Sequence, residues 1–197
     1  MMFPNAYEGF RRIFLAEVLT LIGIACSFIG TATGSYFIYM MSSVMAIVSL
    51  VFILIGLNQA AKDQSSFRVA FILTFINLLL SIVLGVLSEF GLPVLSPVST
   101  IVSNGMSIAV DIMVFRGIKI LAKKLYREDI TKFGNIVLAI LIIVNAITIL
   151  VTLISFFEFS VKIAAFLITL SFVTGILGIV AYVFYLIYLN RVKNMLA

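Results

Sequence analysis

Residues 134–157 read GNIVLAILIIVNAITILVTLISFF and contain no charged side chain. A helix needs roughly 20 mainly apolar residues to cross the hydrocarbon core of a bilayer. This run is continuously apolar, whereas the strands of a membrane barrel alternate between apolar and polar residues. The stretch therefore predicts a membrane-spanning α-helix.

Five further stretches of the chain have the same apolar character. All the predicted spans together are 13–30, 36–57, 69–88, 99–118, 134–157 and 162–189. Hydrophobic residues make up 63% of the chain and charged residues 11%, whereas a soluble domain has about 45–50% and about 25%. Because so large an apolar excess has to face lipid, the sequence predicts an all-α integral membrane protein, a bundle of six transmembrane helices. It excludes a soluble enzyme and a nucleic-acid-binding domain.

The basic residues predict how this bundle is oriented. Of the 13 Lys and Arg residues, all except Lys162 lie on one side of the predicted spans. Cytoplasmic segments of membrane proteins carry an excess of Lys and Arg. We therefore expect a multi-pass protein of the cell membrane with both termini in the cytoplasm. Topology then explains the net charge of +5, and no nucleic-acid partner is needed.

The chain also has the form of three helical hairpins, each of which enters and leaves the membrane on the same side. Similar strings open the first two hairpins, GFRRIFLAEVLT at 9–20 and SFRVAFILTFIN at 66–77. Repeats that start on the same side are parallel repeats, which occur in some transporters. Three-fold duplication of a hairpin is one interpretation, and chance similarity between apolar segments is the other.

A basic segment follows the fourth span, at 116–132. Apolar residues recur in it at helical spacing, through Ile118, Leu121 and Leu125. Its basic residues are Arg116, Lys119, Lys123, Lys124 and Arg127. The pattern fits an amphipathic extension of the fourth helix at the inner surface, where basic residues meet anionic lipid. A solvated loop that only sets topology is the alternative. We expect the basic residues to bind membrane lipid or a partner subunit.

Two carboxylates lie inside the predicted spans, Glu17 and Asp111. An acidic side chain at the bilayer centre costs about 2.5–3.5 kcal/mol, so such residues usually have a function or a partner. Glu17 lies five residues after Arg12, and Asp111 lies five residues before Arg116. The two acids thus share a depth, and we expect them to form one site. For Glu17 the alternative is a favourable helix dipole, and for Asp111 it is a structural ion pair.

Polar residues continue from Asp111 into the membrane. Ser103 and Ser107 precede it at four-residue spacing on the fourth span, which makes one face of that helix polar. The candidate solute- or ion-binding residues are Asp111, Asn104, Ser107, Asn77, Asn145 and Glu17. The three amides lie near the midplane and could line a polar cavity. Interhelical hydrogen bonding is the alternative, at about 0.6 kcal/mol for each bond.

Small residues recur at three- and four-residue spacing along three spans. They are Gly23, Ser27, Gly30 and Gly34, then Ser42, Ala46, Ser49 and Gly56, and finally Ser171, Gly175 and Gly178. Such stripes allow helices to approach closely within a membrane. Packing inside the bundle is one interpretation, and docking of a second membrane subunit is the other.

The N-terminal segment predicts a helix start ahead of the first span. Asn5 is followed three residues later by Glu8. The pair resembles a capping box, in which the two side chains bond each other's backbone N–H groups. We therefore expect Asn5 to cap the first helix.

The composition excludes several kinds of chemistry. The chain has no His and one Cys, Cys26, which excludes imidazole proton shuttles, His–metal sites and intrachain disulfides. It contains no GxxxxGK[ST] nucleotide-binding motif and no GxSxG nucleophile motif. We expect no catalytic residue, no metal and no cofactor. A membrane-embedded lipid enzyme is the least favoured class of function.

Two functions fit these features. The first is a small-solute transporter, or the membrane-embedded substrate-binding subunit of one, in which an acid couples transport to a proton or cation. In size and number of spans the chain is similar to the substrate-binding components of energy-coupling vitamin transporters, a likeness that no motif accompanies. The second function is a non-transporting membrane subunit or scaffold. It would dock a partner through its small-residue faces and its basic segment.

Overall fold

The chain forms six α-helices in a computed structural model that describes residues 2–90, 95–155 and 161–197. They are α1 Pro4–Thr33, α2 Tyr36–Ala60, α3 Ser65–Glu89, α4 Leu95–Lys124, α5 Glu128–Ile154 and α6 Val161–Leu196. All six are long and apolar enough to cross a membrane, and the described residues contain no strand. The predicted all-α fold with six helices that are long and apolar enough to span a membrane is therefore confirmed.

Several helices are longer than the hydropathy pattern indicates. α1 begins at Pro4 rather than at residue 13, α4 continues to Lys124, and α6 continues to Leu196. Hydropathy marks the part of a helix that lipid surrounds, whereas the backbone hydrogen bonds continue beyond it. The predicted end of the fifth span at 156–157 and the connecting residues at 91–94 and 158–160 lie outside the described residues.

The chain divides into two compact units, Met1–Arg68 with Leu186–Ala197, and Val69–Tyr185. In the first unit, the rings of Phe10 and Phe67 are fully buried. They meet edge to face, with their centroids 5.3 Å apart and their planes at 77°. Such an aromatic pair contributes about 0.5–1.5 kcal/mol beyond the burial of its surface. It ties the beginning of α3 to the basic end of α1.

A repeat of small residues packs α1 against α2, and we call it the small-residue seam. It comprises Gly9, Ala16, Gly23 and Gly30 of α1 with Gly56, Ser49 and Ser42 of α2, at seven-residue spacing on both helices. A strict seven-residue repeat keeps one helix face toward its partner. A Cβ atom added to Gly9 would lie 2.5 Å from the carbonyl oxygen of Gly56. The Ser49 hydroxyl donates to the Ala16 carbonyl oxygen at 2.9 Å. The two backbones are thus in direct contact.

A glycine ends α1 and lets the chain reverse. Gly34 has φ 66° and ψ 15°, and its backbone N–H donates to the carbonyl oxygen of Gly30. The N–H of Ser35 donates to the same oxygen at 3.1 Å. Glycine is favoured here because it has no Cβ to clash in the left-handed region. Gly34 therefore acts as a helix end, although the sequence pattern had placed it in a packing stripe.

Asp63, in the turn between α2 and α3, caps the N-terminus of α1. Its carboxylate accepts hydrogen bonds from the backbone N–H of Ala6 at 2.7 Å and from the side-chain amide of Asn5 at 2.9 Å. A carboxylate in this position satisfies a free N–H group and complements the helix dipole. The predicted capping box is wrong, because α1 has no cap from its own side chains. Glu8 instead lies 3.7 Å from Arg11.

Replacing Asp63 with alanine is expected to destabilise the protein by about 1 kcal/mol, which is typical for loss of a capping side chain. Asparagine at this position keeps an acceptor oxygen, so the Asp63→Asn variant should lose less stability than the Asp63→Ala variant. Thermal unfolding in detergent measures both effects. Asp129→Ala is the control, since the ion pair of Asp129 is exposed and exposed pairs contribute little. A D63A variant that melts no lower than this control would contradict the capping role.

In the second unit, α4 and α5 pack through buried aliphatic side chains near the turn that joins them. Ile118 and Leu121 of α4 are 0% exposed, and Ile130 and Val137 of α5 are at most 1% exposed. In the turn, Tyr126 has φ 56°, a left-handed conformation that non-glycine residues seldom adopt. The buried side chains therefore pack α4 against α5 at the end where the turn joins them.

Candidate functional site

The second unit contains a line of polar side chains on two consecutive helices, which we call the α3–α4 polar seam. It comprises Asn77 and Ser81 of α3 with Ser103, Ser107 and Asp111 of α4. The hydroxyl oxygens of Ser81 and Ser103 are hydrogen-bonded at 3.0 Å. This bond joins the two helices within the membrane-spanning region.

The register of the two helices follows from that bond. Consecutive spans run in opposite directions, and residues four apart lie on the same side of a helix about 6 Å apart along its axis. Asn77 lies four residues before Ser81, and Ser107 lies four residues after Ser103. Both are therefore displaced by one turn in the same direction and lie at the same level. Asp111 lies a further turn along α4, toward its basic end.

The side-chain oxygen of Asn77 is buried and accepts no hydrogen bond from any described residue. An unsatisfied buried acceptor costs about 1–3 kcal/mol, so buried polar groups normally have a partner. Among the described residues, the side-chain oxygens of Gln59 and Thr131 are also buried without a hydrogen-bond partner. Both of these lie within four residues of a helix end, whereas Asn77 lies well inside α3. The polar seam thus offers a free acceptor within the membrane.

The two intramembrane acids are each half-buried. Glu17 lies on α1 in the first unit, and Asp111 lies on α4 in the second. The predicted site shared by these two carboxylates stays a prediction. Within its own unit, Asp111 is the charged end of the polar seam.

The other two amides bond to their own helices. The side-chain nitrogen of Asn104 donates to the carbonyl oxygen of Thr100 at 2.7 Å, and that of Asn145 donates to Leu141 at 3.0 Å. These bonds do not link one helix to another, so the two amide nitrogens are not interhelical ties. No hydrogen bond between described residues joins either amide to Asn77. The register thus places Asn77 level with Ser107, while the contact of Asp111, Asn104 and Asn145 with a solute stays a prediction.

The predicted basic segment at 116–132 consists of two helix ends and a turn. α4 continues to Lys124, and α5 begins at Glu128. The apolar face of the segment is buried in protein, with Ile118, Leu121 and Ala122 all 0% exposed. That face therefore packs against protein, while the position of the segment at the membrane surface stays a prediction. The exposed basic residues are Arg116, Lys119, Lys123, Lys124 and Arg127. Their contact with lipid or a partner stays a prediction.

Arg127 is held differently from the lysines of this segment. Its Nε and Nη2 atoms each donate to a carboxylate oxygen of Asp129, both at 2.9 Å. These hydrogen bonds raise the pKa of the Arg127 guanidinium above its ordinary value. A bidentate pair also fixes the orientation of the guanidinium. Arg127 therefore has fewer donors left for a lipid phosphate than its lysine neighbours have.

Comparisons with protein-family models, with curated proteins and with solved structures find no match for this chain. Its chemistry therefore has to be inferred from its own residues. Among the described residues, no three or more His, Cys, Asp and Glu side chains cluster as metal ligands would. The polar seam offers amide, hydroxyl and carboxylate oxygens, which suit the N–H and O–H groups of a small solute or a hard cation.

Proposed function

We propose that this protein is a small-solute transporter, or the membrane-embedded substrate-binding subunit of one, and that the α3–α4 polar seam contacts the solute. The observation that carries the proposal is the buried side-chain oxygen of Asn77, which no described residue satisfies. A solute with an N–H or O–H group would supply the missing donor. Asp111 lies on the facing helix two turns beyond the Ser81–Ser103 bond, where it can respond to a cation or proton.

The residues of the seam have distinct roles in this proposal. Asn77 and Ser107 lie at the same depth along the two helices and hydrogen-bond the solute. Asp111 couples the movement of the solute to that of a cation or proton. An intramembrane acid is costly, and a function in coupling accounts for its retention. Asn104 and Asn145 each use one amide hydrogen to bond their own helix, which leaves a second hydrogen and the acceptor oxygen for a solute. Glu17, on α1 of the first unit, is a second candidate for coupling to a cation or proton.

We also propose that the protein resides in the cell membrane with both termini in the cytoplasm. The support is the charge distribution, in which all but one of the 13 Lys and Arg residues lie on one side. The three hairpins α1–α2, α3–α4 and α5–α6 are compatible with a duplicated ancestor. Their resemblance in sequence is the support for that origin.

A non-transporting membrane subunit or scaffold is the second candidate, and one observation favours it. A Cβ atom added to Gly175 on α6 would meet no described atom within 4 Å, and Ser171 on the same helix is exposed. A face of small residues without a neighbour could receive a helix of a partner. Transport requires water to reach the polar seam, whereas docking requires only a surface. The two candidates therefore differ in whether the seam is accessible to water.

Cysteine labelling tests whether water reaches the seam. In a Cys26→Ala background the chain has no other thiol. Asn77→Cys and Ser107→Cys, made one at a time, are expected to react with a membrane-impermeant thiol reagent in sealed vesicles. The reason is that the thiolate is the nucleophile that attacks such reagents, and it forms in water and not in lipid.

Ile82→Cys is the matched control for these variants. Ile82 follows Ser81 on α3 and is 53% exposed, so it faces away from the seam, a little more than one turn from the depth of Asn77, and is expected to contact lipid. It is expected to remain unlabelled. If both seam cysteines are labelled no faster than Ile82→Cys, water does not reach the seam. That result would favour the scaffold.

A further inference from the structure

A second candidate site lies in the first unit, in a groove at the basic end of α1. The groove has a volume of about 530 Å³. It is lined by Glu8, Arg11, Arg12, Phe14 and Leu15 of α1 and by Lys193 of α6. No residue of the α3–α4 polar seam takes part in it. The groove is therefore independent of the proposed transport site.

The groove has an excess of positive charge. Three cationic side chains line it, Arg11, Arg12 and Lys193, against the single carboxylate of Glu8. Glu8 and Arg11 are 3.7 Å apart, with side chains 42% and 66% exposed. The single carboxylate offsets only one of the three cations, so the groove keeps a net positive charge. The groove thus favours an anion.

The remaining lining residues are apolar. The ammonium group of Lys193 lies 4.7 Å from the centre of the Phe14 ring, which is within the range of a cation–π contact. Leu15 is 47% exposed. The apolar run of the first span begins at Ile13, so the cations lie where lipid headgroups lie and the apolar wall continues toward the acyl chains. A soluble anion would not bind these apolar residues, whereas the acyl chain of a lipid would.

We propose that this groove binds an anionic phospholipid. Arg11, Arg12 and Lys193 contact the phosphodiester, and an acyl chain lies along Phe14 and Leu15. Basic pockets between membrane helices recognise anionic headgroups in this way. The proposal differs from the predicted lipid contact at 116–127, where the apolar face is buried in protein. It requires only that the chain spans a membrane, and it holds whether or not the protein transports a solute.

Competition between two lipids tests the proposal. Delipidated protein is exposed to an equal mixture of phosphatidylglycerol and phosphatidylcholine, and the retained lipid is identified by native mass spectrometry. The wild-type protein is expected to retain phosphatidylglycerol. Arg11→Gln with Lys193→Gln should weaken that retention about thirtyfold, as the loss of two interfacial cations implies. Glu8→Gln removes the carboxylate and should strengthen the retention.

The control carries the same loss of charge away from the groove. Lys62→Gln with Arg68→Gln removes two exposed cations of the same unit and is expected to retain phosphatidylglycerol as the wild type does. An equal loss in this control would show that net charge alone acts, and would overturn the proposal. Retention of both lipids equally, displacement of the lipid by millimolar inorganic phosphate, or no gain in Glu8→Gln would also overturn it.

Discussion

Replacing Gly9 with alanine is expected to destabilise the α1–α2 hairpin by about 3 kcal/mol, near the upper end of the range for inserting atoms into a packed interface. The added Cβ would lie 2.5 Å from the carbonyl oxygen of Gly56 and 2.9 Å from the backbone nitrogen of Ala60. Both are backbone atoms, which cannot rotate away as a side chain can. The two helices would have to separate, and the small-residue seam would lose contact along its length.

Thermal unfolding of the purified protein in detergent measures this effect. Gly85→Ala on α3 is the matched control, because a Cβ at Gly85 would meet no described atom within 4 Å. Alanine is a better helix former than glycine by about 1 kcal/mol, so the control should melt no lower than the wild type. A Gly9→Ala variant that melts like the Gly85→Ala variant would show that α1 and α2 do not cross closely.

The sequence predicted the fold at the level of six spans, because a continuous apolar run has few structural alternatives. It did not predict where the helices end. α1 begins at Pro4 and α4 ends at Lys124, since a helix continues past the hydrocarbon wherever its backbone groups remain bonded. The N-terminal cap was also missed, because Asp63 is far from Asn5 in sequence and only the folded hairpin brings them together.

The close packing of α1 on α2 was predicted in part. Gly23, Gly30 and Gly56 were recognised as small residues in packing stripes. The seven-residue spacing that joins Gly9, Ala16, Gly23 and Gly30 is visible in the sequence. Gly9 lies before the predicted span, however, so the stripes at three- and four-residue spacing do not include it. A stripe of small residues does not show which helix packs against it, so only the structure identifies α2 as the partner of α1.

The sequence names the candidate site residues but does not fix how the two helices that carry them align. Asn77, Ser107 and Asp111 were identified from the cost of polar groups in lipid. Ser81 was missed, although its spacing of four residues from Asn77 places it on the same helix face. The register that sets Asn77 level with Ser107 depends on the Ser81–Ser103 hydrogen bond, and no property of a single sequence fixes such a register.

Asp111→Asn is expected to abolish the dependence of solute uptake on a proton or cation gradient and to leave the protein folded. The amide keeps the shape of the carboxylate but carries no charge and cannot take up a proton. It is also less costly in lipid than an ionised acid, whose burial at the bilayer centre costs about 2.5–3.5 kcal/mol. The measurement is uptake into proteoliposomes, with and without the gradient, of the solute that co-purifies with the wild-type protein.

Asp129→Asn provides the same chemical change at an exposed position and is expected to leave the gradient dependence unchanged. The comparison separates coupling from the general loss of a negative charge. If the Asp111→Asn variant retains gradient-dependent uptake, the coupling role is wrong. If it fails to fold while Asp129→Asn folds normally, Asp111 is a structural partner within the second unit. Loss of coupling in a folded Asp111→Asn variant, together with labelling of Asn77→Cys, would place a water-accessible acid and a solute acceptor on facing helices, which is the arrangement that coupled transport requires.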